Sequence, residues 1–219
     1  MAIPLIAKVQ FACQALPIVA ALTVRDRPRP VLYQRAIIWF CVLMLTDESA
    51  VVVGTLTGNN LWLGYLTLPL EVGLFLWMLS VLQPTEYLRT AYSLSVPVIG
   101  LVVIALLVLT DPAKTFDRYV APGLALVTLS ASLETLVLRS LESRAPLTQQ
   151  DWFWLCLGLS LFWLSFVSIT IFHQAFIGTH VDWVVTALIA RAWVDIVAYS
   201  LMAWGLLQPW LRARSFGSS

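Results

Sequence analysis

The stretch "ALIARAWVDIVAY", from Ala187 to Tyr199, lies inside the last long apolar run of the chain and carries two opposite charges, Arg191 and Asp195. The whole chain has 219 residues, of which 60% are hydrophobic and only 11% are charged. An ordinary soluble domain devotes about 25% of its residues to charge. The mean hydropathy of +0.86 is therefore typical of an integral membrane protein, and we predict an all-α, polytopic bundle.

Apolar stretches of about 20 residues, the length that crosses a hydrocarbon core roughly 30 Å thick, occur seven times. The predicted spans run from Ile3 to Val24, Val31 to Gly54, Leu61 to Leu82, Ala91 to Thr110, Tyr119 to Leu138, Trp152 to Phe172 and Val181 to Leu207. The connections are too short for a further domain, so consecutive helices should be antiparallel neighbours. The sequence predicts one seven-helix transmembrane domain over residues 1–210 and a short polar cytoplasmic tail over 211–219.

The arginines predict the orientation of this bundle. Most of them flank the odd-numbered connections or follow the last helix: Arg25, Arg27, Arg29, Arg35, Arg89, Arg139, Arg144, Arg212 and Arg214. The N-terminus and the even connections hold only Lys8, Lys114 and Arg118. Because positive residues are retained on the cytoplasmic side, we expect the N-terminus outside and the C-terminus in the cytoplasm of a multi-pass cell-membrane protein.

Several functional classes are disfavoured by composition. The formal net charge of +1 gives no basic face for nucleic acid, so the expected partners are the lipid bilayer and other membrane proteins. A retinal Schiff base needs a lysine in the last helix, and the two lysines, Lys8 and Lys114, lie elsewhere. This excludes a retinal Schiff base and leaves any other cofactor unknown.

No metal or catalytic motif stands out. Cys13, Cys41 and Cys156 lie in separate apolar runs and are interpreted as packing residues. His173 and His180 flank the predicted sixth loop and are interpreted as solvated or interfacial, with a haem or chlorophyll ligand as the alternative. We predict no metal site and no catalytic residues.

The functional signal lies in ionisable residues at membrane depth. A charge at the centre of a span costs about 2.5 to 3.5 kcal/mol on insertion scales, so such residues usually face the bundle interior. The candidates are Asp47, Glu48, Glu71, Glu134, Arg191 and Asp195. Glu71 and Arg191 each lie about ten residues, or roughly 15 Å, below the predicted outer boundary. We expect Arg191 to neutralise Asp195, one turn away in its own helix, and Glu71 across the bundle.

Polar and small residues at helical spacing support an inward orientation for these groups. Asn60, Gly64, Thr67 and Glu71 form one stripe, with Pro69 beside it as a predicted kink. Weaker stripes contain Gln10 with Gln14, Gly123 with Ser130 and Glu134, and Gly158 with Ser165 and Ser168. Small residues also let helices pack closely, so a purely structural ionic lock remains the alternative.

The balance of charge favours a binding role. One arginine cannot neutralise Glu71, Glu134, Asp195 and the Asp47–Glu48 pair together, and burial disfavours the charged carboxylate. One or more of these acids should therefore be protonated, or face water, an ion or a ligand. Adjacent helix positions cannot share a face, so we expect at least one of Asp47 and Glu48 to be hydrated.

The third span resembles one family. The run "TGNNLWLGYLTLPLEVGLFLWMLS" is similar to uncharacterised bacterial seven-helix membrane proteins of sensory type, through Asn60, Leu61, Trp62, Tyr65 and Glu71. The resemblance implies a sensory or ligand-binding bundle in a bacterial inner membrane rather than an enzyme.

Three hypotheses follow for the function. The first is a non-enzymatic binding or sensory module whose polar core holds a proton, an ion or a small ligand. The second is a structural or accessory subunit of a larger membrane complex, one that could bear pigments. The third is an intramembrane lipid hydrolase that uses two carboxylates, such as Glu71 and Asp195, in one cavity.

Overall fold

The computed structural model of the chain describes residues 5–24, 29–57, 61–109 and 119–176, together with 181–216. Within these ranges the fold is all-α, with no strand, as the sequence predicts. The α-helices are α1 (Leu5–Thr23), α2 (Pro30–Thr57), α3 (Leu61–Leu79), α4 (Glu86–Ser93), α5 (Ser95–Leu109), α6 (Ala121–Glu142), α7 (Asp151–Phe176) and α8 (Val181–Phe216). Short 3₁₀ helices follow α3 at Ser80–Leu82 and precede α7 at Leu147–Gln149.

Five helical segments among the described residues are long and apolar enough to cross a membrane: Pro30–Thr57, Leu63–Leu82, Ala121–Glu142, Asp151–Phe172 and Trp183–Arg212. The pair α4 and α5 would supply a sixth, bent by 41°. The apolar part of α1, Lys8–Thr23, is shorter. Each predicted span thus falls on a helix or on the bent pair, while the count of seven spans stays a prediction.

Two boundaries differ from those expected. The span predicted over Ala91–Thr110 is broken at Leu94, and its first residues belong to α4, which begins after the N-cap Thr85. Pro97 explains the break, because proline cannot donate to the carbonyl four residues back and its ring crowds that carbonyl. At the other end of the chain, α8 continues to Phe216 and takes in most of the tail predicted over 211–219.

The helices form a closed ring. Neighbouring pairs are α1–α2, α2–α3, α3–α6, α6–α7, α7–α8 and α8–α1, while α5 packs on α3 outside the ring. Buried aromatic rings fill the centre: the centroids of Trp39 and Phe75 are 5.5 Å apart, and those of Phe75 and Trp163 are 5.6 Å apart. This core joins α2, α3 and α7, and it places the polar residues beside a packed apolar interior.

Helices α7 and α8 approach each other most closely at two glycines. A Cβ added at Gly158 would lie 2.7 Å from the carbonyl oxygen of Ala198. One added at Gly205 would lie 2.7 Å from the carbonyl oxygen of Asp151 and 2.8 Å from the amide nitrogen of Leu155. Backbone atoms cannot move aside as a flexible side chain can, so only glycine fits at this contact.

Arginines gather at one end of the ring. Arg29, before α2, forms an ion pair with Asp151 at the start of α7. Arg35 donates to the carbonyl oxygen of Trp77 at 2.6 Å, and Arg139 donates to that of Leu82 at 2.5 Å. These two arginines therefore satisfy carbonyl groups that the end of α3 leaves without helical partners.

Candidate functional site

Asp195 is the most buried acid of the site, with 0% of its side chain exposed. Ser165 of α7 donates to its Oδ1 at 2.7 Å, and Gln10 of α1 donates to its Oδ2 at 2.8 Å. The Nε of Arg191, one turn earlier in α8, lies 3.3 Å from Oδ2. The predicted pairing of Arg191 with Asp195 is present, and this one carboxyl group connects α1, α7 and α8.

Asp47 is half-buried in α2 and faces α1. Gln14 donates to its Oδ2 at 2.5 Å, and the same amide nitrogen lies 3.3 Å from the hydroxyl oxygen of Tyr199 in α8. Glu48, the next residue, is exposed. The two adjacent acids therefore point to different surroundings, and Asp47 is the one that joins the interior, while the hydration of Glu48 stays a prediction.

Glu71 is the third acid, with 8% of the residue exposed. The hydroxyl oxygen of Thr46, the residue before Asp47, lies 2.5 Å from Oε1 of Glu71. The backbone carbonyl of Glu71 accepts a hydrogen bond from the indole of Trp39 at 3.0 Å. Asp47 is close enough to interact electrostatically with both Glu71 and Asp195. The three acids therefore belong to one region, which we call the polar core: Gln10, Gln14, Thr46, Asp47, Glu71, Ser165, Arg191, Asp195 and Tyr199.

Arg191 makes no ion pair with Glu71 in the described part of the chain, so the predicted neutralisation of Glu71 across the bundle has no direct contact behind it. Its Nε is held by Asp195, and its guanidinium stacks over the ring of Phe166, 4.9 Å from the centroid. The side chain therefore lies against α7 rather than α3. Asp47 and Glu71 feel its charge only through space.

The remaining candidates stand apart from the polar core. Glu134 is exposed on α6 and accepts a hydrogen bond from the Tyr92 hydroxyl at 2.7 Å, because α6 turns Thr128, Ser132 and Thr135 inward instead. Thr67 is half-buried and makes no hydrogen bond with any described residue. Asn60 and His180 lie outside the described residues, and His173 belongs to α7 rather than to the predicted loop.

The sequence analysis overlooked Thr46 and Tyr199. Each had a signal: Thr46 directly precedes Asp47, and Tyr199 follows Asp195 by four residues, on the same face of α8. Neither is ionised at neutral pH, so a search for charged groups at membrane depth passes over them. Both nevertheless contact the acid-bearing network directly or through Gln14.

The partners of the three acids share one chemical property. The Thr46 hydroxyl contacts Glu71 and also lies 2.9 Å from the backbone carbonyl oxygen of Leu43. Likewise, the Ser165 hydroxyl contacts Asp195 and lies 2.8 Å from the backbone carbonyl oxygen of Phe162. A hydroxyl group has one proton to donate and two lone pairs. Each hydroxyl can therefore donate to a carboxylate, or donate to its own helix and accept from a carboxylic acid.

Gln14 offers the same choice to Asp47. Its amide donates to the carboxyl group through Nε2, while Oε1 is buried without a hydrogen-bond partner. Turning the amide would present Oε1 to a protonated Asp47, since the two orientations have nearly the same shape. A metal ion is a poorer fit, because no group of three or more His, Cys, Asp or Glu side chains in the described ranges could hold one.

No protein-family model, curated protein or solved structure matches this chain. The resemblance of the third span to bacterial sensory bundles therefore stays a prediction.

Proposed function

We propose that this chain is a multi-pass membrane protein of seven spans whose polar core binds and releases a proton, as a non-enzymatic binding or sensory module. The buried carboxyl groups of Glu71 and Asp195 and the half-buried one of Asp47 share the polar core with one guanidinium, that of Arg191. Full ionisation would leave two uncompensated negative charges in a largely buried site, which is costly. Binding of protons removes that cost without a metal.

The observation that carries this proposal is the choice of hydrogen-bond partners. Thr46 and Gln14 can each satisfy either the ionised or the protonated form of the acid beside it, whereas Asp195 has Arg191 as well as Ser165 beside it. An arginine or lysine in the same place would favour only the ionised form. A site that satisfies both forms lets a proton come and go without leaving a buried group unpaired.

Infrared difference spectroscopy of the purified protein tests the proposal, with spectra recorded between acidic and alkaline buffer. Protonated carboxyl groups give a C=O stretching band that shifts in D₂O. We expect such a band in the wild type, with a component lost in at least one of Glu71→Gln, Asp47→Asn and Asp195→Asn. Glu48→Gln is the matched control, because Glu48 is exposed beside Asp47. A band that survives all three core substitutions would refute proton binding at this site.

The proposed orientation has the N-terminus outside and the C-terminus cytoplasmic. It is supported by the shared end of Arg29, Arg35 and Arg139, which would face the cytoplasm. Single cysteines at positions 114 and 144, in a background without Cys13, Cys41 and Cys156, would be labelled from outside the cell. We expect labelling at position 114, and preferential labelling at 144 would reverse the orientation.

A second candidate, an accessory subunit of a membrane complex, is favoured by Glu134, whose exposed carboxyl group accepts a hydrogen bond from the buried Tyr92. A carboxyl group on the outer surface of a span suits a polar group of a partner helix. Purification in mild detergent should then yield a stoichiometric partner that Glu134→Leu releases. The hydrolase hypothesis has less support, because Glu71 and Asp195 contact different hydroxyls; lipid hydrolysis by wild type but not Glu71→Gln would restore it.

A further inference from the structure

A groove of about 410 Å³ runs between α7 and α8 on the outer surface of the ring. Most of its wall is apolar, and it is lined by Leu161, Leu164, Ile169, Phe172, Ala187 and Val194, with Arg191, Ser165 and Ser168 among the remaining lining residues. A second hollow, lined by Phe172, Trp183, Thr186, Ala187 and Ala190, shares part of this wall. The two form one continuous channel along α7 and α8.

The groove has a structural cause. The backbone contacts at Gly158 and Gly205 hold the two helices together over one half of their length. Beyond Ser165 the facing residues have larger side chains, among them Phe172 and Trp183. The surfaces of the two helices there are separated by a groove. The groove therefore ends toward the glycine contacts and extends past Arg191 toward Phe172 and Ala187.

Arg191 supplies hydrogen-bond donors to the wall of this groove. Its side chain is 24% exposed, and its Nε is committed to Asp195. Its two terminal nitrogens make no hydrogen bond with any residue that the structure describes. The guanidinium carbon lies 4.9 Å from the centroid of the Phe166 ring, so a cation–π contact holds the group beside α7. A planar group with free N–H donors in an apolar wall is suited to bind an anionic oxygen ligand.

We propose that the groove binds a single-chain amphiphile with a carboxylate head, in the manner of a long-chain fatty acid. The carboxylate would accept from the terminal nitrogens of Arg191, and the apolar chain would lie along Leu164, Phe172 and Ala187. The inference rests on the membrane placement proposed above and not on proton binding by the polar core.

Charge and volume select this occupant. Arg191 already faces Asp195, so each further negative charge beside it meets repulsion, and a head group with one negative charge is favoured over a doubly charged phosphate. The volume is within the range of small-molecule sites, about 300 to 1,000 Å³, which are mostly apolar with a few polar groups that fix orientation. A two-chain lipid would leave one chain outside the groove.

A second apolar groove in the same chain serves as a control for the groove at Arg191. A groove of about 350 Å³ between α5 and α6 has an apolar wall that includes Val98, Val102 and Leu124, and no charged residue in the described part of the chain lines it. An apolar chain could enter either groove, but only the groove at Arg191 can distinguish a carboxylate from an alcohol. Head-group preference therefore separates a specific site from ordinary contact with lipid.

Photocrosslinking tests the inference. The full chain, in nanodiscs of phosphatidylcholine, would be irradiated with palmitate that carries a diazirine on its chain, and the labelled peptides mapped by mass spectrometry. We expect label on α7 and α8 that palmitate displaces about tenfold better than hexadecanol, because charge-assisted hydrogen bonds are among the strong ones. Label on α5 and α6 should show no such preference.

Two variants keep the test decisive. Arg191→Gln should abolish the preference for palmitate over hexadecanol. Ala187→Leu should reduce labelling of the groove while it leaves Arg191 and Asp195 in contact, and Ala105→Leu on exposed α5 is its matched control. Equal displacement by palmitate and hexadecanol, or unchanged labelling in Ala187→Leu, would overturn the proposal. Displacement by phosphatidylglycerol as effective as by palmitate would also overturn it, in favour of a bilayer lipid.

Discussion

Helices α7 and α8 contact each other in different ways in the two halves of their shared length. In one half, Gly158 and Gly205 bring the backbones so close that no side chain fits between them. In the other half, Ser165, Arg191 and Asp195 exchange hydrogen bonds beside an open apolar groove. The same two helices are thus joined by van der Waals packing at one end and by polar contacts at the other, as interfaces between membrane helices allow.

The difference shows what each half contributes. Close packing gives a fixed distance but offers nothing to a ligand or a proton. The polar half has donors and acceptors, and its geometry depends on the packed half to hold α7 and α8 in register. Substitutions in the two halves should therefore differ in how much they change the free energy of unfolding. They should also differ in whether the effects of two substitutions are additive.

The largest effect is expected from Arg191→Leu, with a loss of about 3 kcal/mol in the free energy of unfolding. It leaves Asp195, which is fully buried, with only Ser165 and Gln10 as donors. Arg191→Leu combined with Asp195→Leu should restore much of the loss, because no buried charge then lacks its partner. Thermal unfolding in detergent of the wild type, both single mutants and the double mutant measures this coupling.

The same cycle with Glu71→Leu is the control. Since Arg191 makes no ion pair with Glu71 in the described structure, these two substitutions should be nearly additive. If Arg191→Leu and Asp195→Leu were also strictly additive, the ion pair between these residues would not contribute to stability.

The packed half is tested by Gly205→Ala, which should lower the free energy of unfolding by about 2 kcal/mol through overpacking. A methyl group there would press on backbone atoms of Asp151 and Leu155. Gly123→Ala is the matched control, because nothing lies within 4 Å of a Cβ at that position. It should stabilise α6 by about 0.5 to 1 kcal/mol, since alanine is the better helix former. Equal effects at the two glycines would contradict the close contact.

The smallest effect should come from Ser165→Ala, with a loss of about 1 kcal/mol for one hydrogen bond to Asp195. Ser168→Ala is its control on the same helix, since Ser168 is exposed and donates only to the carbonyl oxygen of Leu164. We expect no measurable change there in chemical denaturation. A larger loss at Ser168 than at Ser165 would place the important hydroxyl in the groove instead of the polar core.

Much of the polar core follows from helical spacing alone. Arg191 and Asp195 are four residues apart, as are Gln10 and Gln14, and such pairs share a face whatever surrounds them. The all-α class follows just as directly from the long apolar runs. These features depend only on the geometry of one helix, which the sequence encodes locally.

Contacts between helices could not be predicted in the same way. Matching depth placed Arg191 opposite Glu71, but the rotation of α8 turns the guanidinium onto Phe166 of α7. The stripe with Gly123, Ser130 and Glu134 is exposed because α6 buries Thr128 and Thr135 on another side. Spacing defines a face, whereas the choice of which face is buried depends on side chains from other segments.

Arg35 and Arg139 have a consequence for biosynthesis. During insertion, positive residues at helix ends help to keep a loop on the cytoplasmic side of the translocon. After folding, the same two guanidinium groups end on the carbonyl oxygens of Trp77 and Leu82. With the orientation proposed above, a charge reversal at either position would disturb both membrane insertion and the end of α3, so a change of topology would be mixed with a folding defect. Arg144 is exposed, so its charge can be changed without breaking such a contact.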